Sequence, residues 1–309
     1  MKTVINQQQI IWDTFGHLET FNPEWLEQQD HWEDFIAAFF KSNGLAYDSN
    51  MSRVETCIRA EDKAAFASMF EQLLPRLRQS TDLSDVDTVI LAHWTPDLHL
   101  GTSVVNYVIH SLELGEQSFG LAISDRGLSA PFMALDCAHR YIQERDSSAL
   151  LLIADQKHLL YRSALMDALA PENSACIVKI NRSGSGWSYA GYRKHTHVTE
   201  RDLGQSVQEM ITHFGLSPQT RIIASPALLT QLSDAGQLPE HDEASVKTDE
   251  RYVGIDEKYI AIDEKLLCAA PFAALEQYGQ PEQDYLLVRY DEGILTGVGF
   301  SHQEEDVCA

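Results

Sequence analysis

The sequence predicts an α/β protein built from two βα-rich halves of similar order. Four apolar runs of strand length carry that expectation: VDTVILAHW (86–94), SFGLAIS (118–124), SALLLIAD (148–155) and SACIVKI (174–180). Segments with helical stripes separate the first three. Strands covered on both faces read as unbroken apolar runs, so the sheet is expected to be largely parallel or mixed and to lie between helices. After the polar turn Asn181–Gly186 the alternation starts again and closes in a hairpin. The halves are therefore expected at 1–183 and 184–309, a structural duplication without a clear sequence repeat.

Taken in order, the first 80 residues look helical. Asn22-Pro23 supplies an N-cap and a first-turn proline, and Trp25, Leu26, Trp32, Phe35, Ile36, Phe39 and Phe40 recur at helical spacing. A second helix carries Ala65, Phe66, Met69, Phe70, Leu73 and Leu77. After the strand at 86–94, a stripe through Val104, Val108 and Leu112 marks a helix that Gly115 would cap. SFGLAIS is read as a buried, central strand that would leave an apolar edge exposed if the chain stood alone, followed by a helix entered through Pro131 with Phe132, Leu135, Ala138 and Ile142 on one face. In the second half WSYAGYRK is strand-like, and Leu203, Val207, Met210, Ile211 and Phe214 form a helical face between Thr199 and Gly215. RIIAS (221–225) is a strand, 226–235 a short helix and Leu267–Tyr278 a longer one. DYLLVRY and GILTGVGF then pair around Asp291-Glu292-Gly293.

Composition excludes several classes of function. The 309 residues carry 23 Lys plus Arg against 46 Asp plus Glu, a formal net charge of −23. Such a surface repels phosphodiester backbones and anionic lipid, so nucleic acid and membrane are not expected partners. The acids concentrate in DAGQLPEHDEASVKTDERYVGIDE (234–257) and the tail HQEEDVCA, read as a solvated loop and terminus. No apolar run approaches the roughly 18 residues of a membrane span, and MKTVINQQQIIWDTFG lacks the apolar core of a signal peptide. The five cysteines are widely spaced and form no CxxC pair. Neither a disulfide framework nor a zinc knuckle is indicated, and a reduced cytoplasm is the expected compartment.

Several of these segments share the order of one family. VILAHWTPDLHLGTSVVNYVIHSLEL joins a strand, a Thr-Pro-Asp turn and a helix. FGLAISDRGLSAPFMALDCAHRYI joins a strand, a tight elbow and a helix. With SALLLIADQKHLL, CAAPFAALEQYG and the closing hairpin, they resemble the thiolase-fold condensing enzymes, in the β-ketoacyl-ACP synthase III branch. The resemblance runs over about 86–300. It implies a thiolase-like fold whose two duplicated βα halves form a layered α-β-α-β-α core.

It also implies a catalytic set that this sequence lacks. The family uses a Cys at the elbow, its thiolate favoured by the helix N-terminus, with a His and an Asn. A gapless overlay from the strand places Asp125 at the Cys position, whereas alignment back from the helix places Leu128 there. The position of the His is Ser225, and that of the Asn lies near Glu264. PENSAC (171–176) stands where the family has a glycine-rich turn. The elbow is expected to have lost its chemistry.

Other groups leave alternatives open. Ser124, Asp125 and Ser129 could form a substitute hydrolytic group with His93 or His99, against ordinary loop hydrogen bonding. Cys137 and Cys268 read as core residues, and the pair His195 and His197 as a solvated loop rather than a metal site. Arg126 could neutralise Asp125 and plug the acyl cavity, lie on the surface, or cross a dimer interface. The resemblance then implies a catalytically silent subunit that pairs with an active condensing-enzyme paralogue in fatty-acid-like, polyketide or alkylquinolone-type biosynthesis. Acidic acyl carrier protein would reach the complex through that partner, because a −23 chain is a poor dock for it. The alternatives are an acyltransferase or thioesterase using the elbow Asp or Ser, and a free-standing homodimer that binds a small apolar ligand. No cofactor and no metal are expected.

Overall fold

The computed structural model describes residues 2–145, 147–234 and 258–302. Ten strands form one continuous series. The first half holds β1 (Val4–Phe15), β2 (Val86–Ala92), β3 (Phe119–Ile123), β4 (Ser148–Asp155) and β5 (Asn173–Asn181). The second holds β6 (Trp187–His195), β7 (Arg221–Ala224), β8 (Tyr259–Ala261), β9 (Tyr285–Asp291) and β10 (Ile294–Ser301). Their spatial order is β3-β2-β4-β5-β1-β6-β10-β9-β7-β8. Read outward from the β1–β6 seam, each half is first, fifth, fourth, second, third. Strand senses repeat as well: the three outer strands are parallel, and the fifth runs antiparallel to both its neighbours. The duplication is one of topology, with no matching sequence repeat.

Nine α-helices are found among the described residues: α1 (Gln29–Ser42), α2 (Val54–Arg59), α3 (Phe66–Ser80), α4 (Val104–Ser111), α5 (Ala130–Glu144), α6 (Ala164–Leu169), α7 (Leu203–His213), α8 (Pro226–Asp234) and α9 (Ala270–Tyr278). None is long and apolar enough to cross a membrane. Three apolar clusters define the layers. Phe66, Phe70, Leu73 and Leu77 of α3 and Val104 and Val108 of α4 cover one outer face. Val207, Met210 and Ile211 of α7 with Leu228 and Leu232 of α8 cover the other. A third cluster packs α5 and α9 with strands of both halves, and their Phe132, Leu135, Ala138, Ile142, Phe272 and Leu275 are fully buried. Burying a side chain of this size contributes roughly 1.5–3 kcal/mol, so this shared cluster helps to hold the halves together. The two family-aligned turns, one before each central helix, are thereby brought into contact.

Three expectations are corrected, and one strand is added. Residues 4–15 are not helical but form the longest strand, pairing with β5 and, at Val4 and Ile5, with β6. Gln7, Gln8 and Gln9 hide its strand period, and its register shifts between Ile5 and Ile10. The polar side chains are satisfied at the seam: Gln7 donates to the carbonyls of Glu276 and Gly279 at the end of α9, and Gln9 to the Thr81 hydroxyl. SFGLAIS has the open edge expected of the chain alone, but it is not a buried strand. β3 pairs only with β2 among the described residues, and Gly120 and Ala122 are exposed. The turn after α4 uses Glu113, at φ +55°, and not Gly115. β8, a three-residue strand paired in parallel with β7, went unread beside the acidic stretch.

The closing hairpin is as read. Asp291 pairs with Ile294, and the two loop residues Glu292 and Gly293 have φ of +46° and +79°, a two-residue turn whose twist matches the strands. The acidic stretch from 235 to 257 and the tail from 303 lie outside the described residues.

Candidate active site

The elbow between β3 and α5 is tight because Gly127 takes φ +56°, a region a side chain enters only with strain. Immediately before it, Asp125 and Arg126 form an ion pair at 3.0 Å with side chains 77% and 39% exposed. Arg126 also donates to the Asp125 carbonyl and lies against the Met133 sulfur. The pair sits on the surface, so Arg126 does not plug an interior cavity. Ser124 is exposed as well, and the Ser129 hydroxyl donates to the Arg126 carbonyl at 2.8 Å. The inward-facing residue of the turn is Leu128, packed on Leu159, Met166 and Leu267 beside Trp94.

The corresponding turn of the second half runs from β8 through a 3-10 segment, Glu264–Ala269, into α9. Leu267 there has φ +46° and ψ −119° and is fully buried. The backbone is held from three sides. The Cys268 amide donates to Asp155 Oδ2 at 3.0 Å, the buried Arg289 guanidinium donates to the Leu267 carbonyl, and the Ser174 hydroxyl donates to the Leu266 carbonyl at 2.9 Å. Asp155, at the end of β4, also accepts from the Trp94 and Thr95 amides and the Thr95 hydroxyl, at 2.8–3.0 Å. The two turns touch where Cys268 Sγ lies 3.8 Å from the Gly127 carbonyl.

Sequence reasoning missed this Asp155–Thr95–Arg289 cluster. Its signal was present: an acid ending the apolar run SALLLIAD, and a lone Arg inside LLVRY. Charges inside such runs are buried, and buried charges need partners.

The candidate residues do not converge. Ser225 accepts from the Leu228 amide at 3.3 Å and so caps α8. Glu264 is half-buried and near enough to Arg289 to favour its charged form, opposing the downward push of burial. No hydrogen bond or ion pair joins any two of Ser124, Asp125, Ser225 and Glu264 among the described residues. His93 is hydrogen-bonded to the Thr95 carbonyl, His99 faces Glu19, and neither meets Ser124, Asp125 or Ser129. Cys268 is fully buried. Burial, with the Asp155 carboxylate beside it, pushes its thiol well above the ordinary range. Cys137 is half-buried on α5, and burial raises its thiol too. A nucleophile needs a favoured thiolate or an adjacent base, and these thiols have the opposite surroundings. His195 accepts from Arg193 at 2.7 Å on β6.

No family model matches the sequence, and no curated protein does. The fold does match solved structures. ChlB3, an acyltransferase, is 14% identical with 98% of each chain covered and a TM-score of 0.59. AbyA1, a tetronic acid condensing enzyme, is 13% identical over 97% of this chain and 99% of its own, at TM-score 0.62. The β-ketoacyl-[acyl carrier protein] synthase III of Thermus thermophilus is 16% identical over 79% and 86%, at TM-score 0.56. At such identities the likeness is one of architecture: the chain has the thiolase-like fold of the ketoacyl synthase III type.

Proposed function

We propose that this chain is a catalytically silent synthase III-like subunit that pairs with an active condensing-enzyme paralogue. The observation that carries the reading is what fills the junction of the two central turns. Leu128 and Leu267 pack together there with Leu159 and Met166, while the acid and hydroxyls of the elbow face solvent or bond to its own backbone. The buried polar groups beside it hold the backbone of the second turn: Asp155 accepts from the Cys268, Trp94 and Thr95 amides, Arg289 donates to the Leu267 carbonyl, and burial pushes the Cys268 thiol well above its ordinary range, so no base is free there to activate a nucleophile. The fold neighbours include condensing enzymes and an acyltransferase, which supports acyl-transfer biosynthesis as the setting. The edge of β3, unpaired among the described residues, supports pairing, because an unpaired strand edge is a template for another chain. The paralogue supplies the active site in this reading, and acyl carrier protein docks on it.

Intact-mass spectrometry after incubation with acyl-CoA and acyl-carrier thioesters is the test. The expected spectrum shows the unmodified mass at all times. A stable acyl adduct on Ser124, Asp125 or any cysteine would overturn the silent reading and favour an acyltransferase or thioesterase at the elbow.

A further inference from the structure

A concavity lies between the N-terminal helices and the loop after β2, and no elbow residue lines it. Its volume is about 350 Å³, and its walls include Trp25, Trp32, Cys57, Lys63, Asp97 and His99. That is the small end of the range of about 300–1,000 Å³ typical of small-molecule sites.

Lys63 is only 1% exposed, yet it has no ion pair among the described residues. Its ammonium donates to the Ile58 carbonyl and lies 4.7 Å from the Trp25 ring centre and 5.8 Å from that of Phe21. A carbonyl and two π faces hold a cation without neutralising it, and an uncompensated buried charge is costly. Burial accordingly lowers the Lys63 pKa. The nearby thiol supplies no counter-charge, because burial pushes Cys57 up to about 11. Neighbouring carboxylates are engaged elsewhere: Asp62 with Lys157 and His158, Glu19 with Ser68 and His99. Asp97 uses only one oxygen. Its Oδ1 accepts from the Phe66 and Leu98 amides and from Gln156, whereas its Oδ2 is buried with no partner. The cavity therefore holds a cation with no ion-pair partner, its neighbouring carboxylates Glu19 and Asp62 being bonded elsewhere, and an acceptor without a donor, beside two indole rings.

We propose that this cavity binds a small aromatic carboxylic acid bearing a hydroxyl group. The carboxylate pairs with Lys63, the ring packs on Trp25 and Trp32, and the hydroxyl donates to Asp97. A monoanion fits better than a phosphate, because a second negative charge would face Asp97 with no second unpaired cation on the cavity wall to balance it. The proposal does not depend on the silence of the elbow.

Isothermal titration of the full chain with 4-hydroxybenzoate, 4-hydroxybenzamide and benzoate tests it without any substitution. The hydroxy acid is expected to bind at least tenfold more tightly than its amide, and several-fold more tightly than benzoate. Lys63→Met, which keeps the apolar stem, is expected to abolish the preference for acid over amide. Equal binding of acid and amide by the unaltered protein, or no binding of either, would overturn the site. So would inorganic phosphate binding as tightly as the hydroxy acid. Equal binding of benzoate would overturn the assignment of Asp97.

Discussion

The two turns that precede the central helices occupy the same place in the repeated topology, yet they are built from opposite materials. The turn after β3 spends its polar groups on water: Asp125 and Arg126 pair on the surface, and one glycine supplies the conformation. The turn after β8 contains no glycine. Leu267 enters a positive-φ conformation while fully buried, held by Asp155, Arg289 and Ser174 from other strands. A strained non-glycine residue costs about 1–3 kcal/mol and persists only where its surroundings over-determine it. The first turn is thus locally specified and cheap to alter, and the second is specified by tertiary contacts and sensitive to each of them.

The largest effect is expected from Asp155→Asn. The substitution keeps the volume, but an amide nitrogen would then oppose the Cys268 or Trp94–Thr95 amides, and the cluster around Arg289 would lose a negative charge. Breaking a hydrogen-bonded buried carboxylate of this kind costs roughly 3–5 kcal/mol. Urea denaturation should show a loss of that order; a change under about 1 kcal/mol would mean that the cluster does not hold the second turn.

Leu267 sharpens the same point. Leu267→Ala removes buried methyls and leaves the strain, so it should destabilise by about 2–5 kcal/mol. Leu267→Gly removes the same contacts and one methyl more, yet relieves the positive φ. If the backbone is strained, the glycine variant will be no less stable than the alanine variant. A glycine variant less stable by about 1 kcal/mol would show that packing alone sets the conformation.

What could be read in advance follows the same division. Strands β2, β4 and β5 announce themselves as apolar runs because helices cover both their faces. The elbow was legible because a strand, Asp-Arg-Gly and a proline-led helix are local signals. β1 was not, because Gln7 and Gln9 are satisfied by Glu276, Gly279 and Thr81, partners far away in sequence. The open edge of β3 was legible, but not its partial exposure, since FGLAI is as apolar as an inner strand. At the site, Asp125 and Leu128 were both candidates for the family's Cys position, and burial separates them. Asp125 points to solvent, while Leu128 packs into the junction. The Asp155–Arg289 cluster needed three dimensions, since its members lie on β4 and β9.

The smallest effect is expected at the first turn. With its carboxylate 77% exposed, Asp125 is not a buried acid that Arg126 must neutralise, and exposed ion pairs contribute about 0–1 kcal/mol. Asp125→Asn and Arg126→Ala should each shift stability by less than about 0.5 kcal/mol, within the range of ordinary surface changes. The same variants bear on function. If the turn is only structural, turnover of the complex assembled with an active paralogue will be unchanged by Asp125→Asn. If Asp125 is a nucleophile or base, turnover will fall by orders of magnitude while the urea transition stays where it was. Stability and turnover measured on one preparation separate these outcomes, because an exposed carboxylate has no structural route to a large loss of rate. A well-folded Asp125→Asn complex that had lost its activity would make the solvated turn the catalytic one.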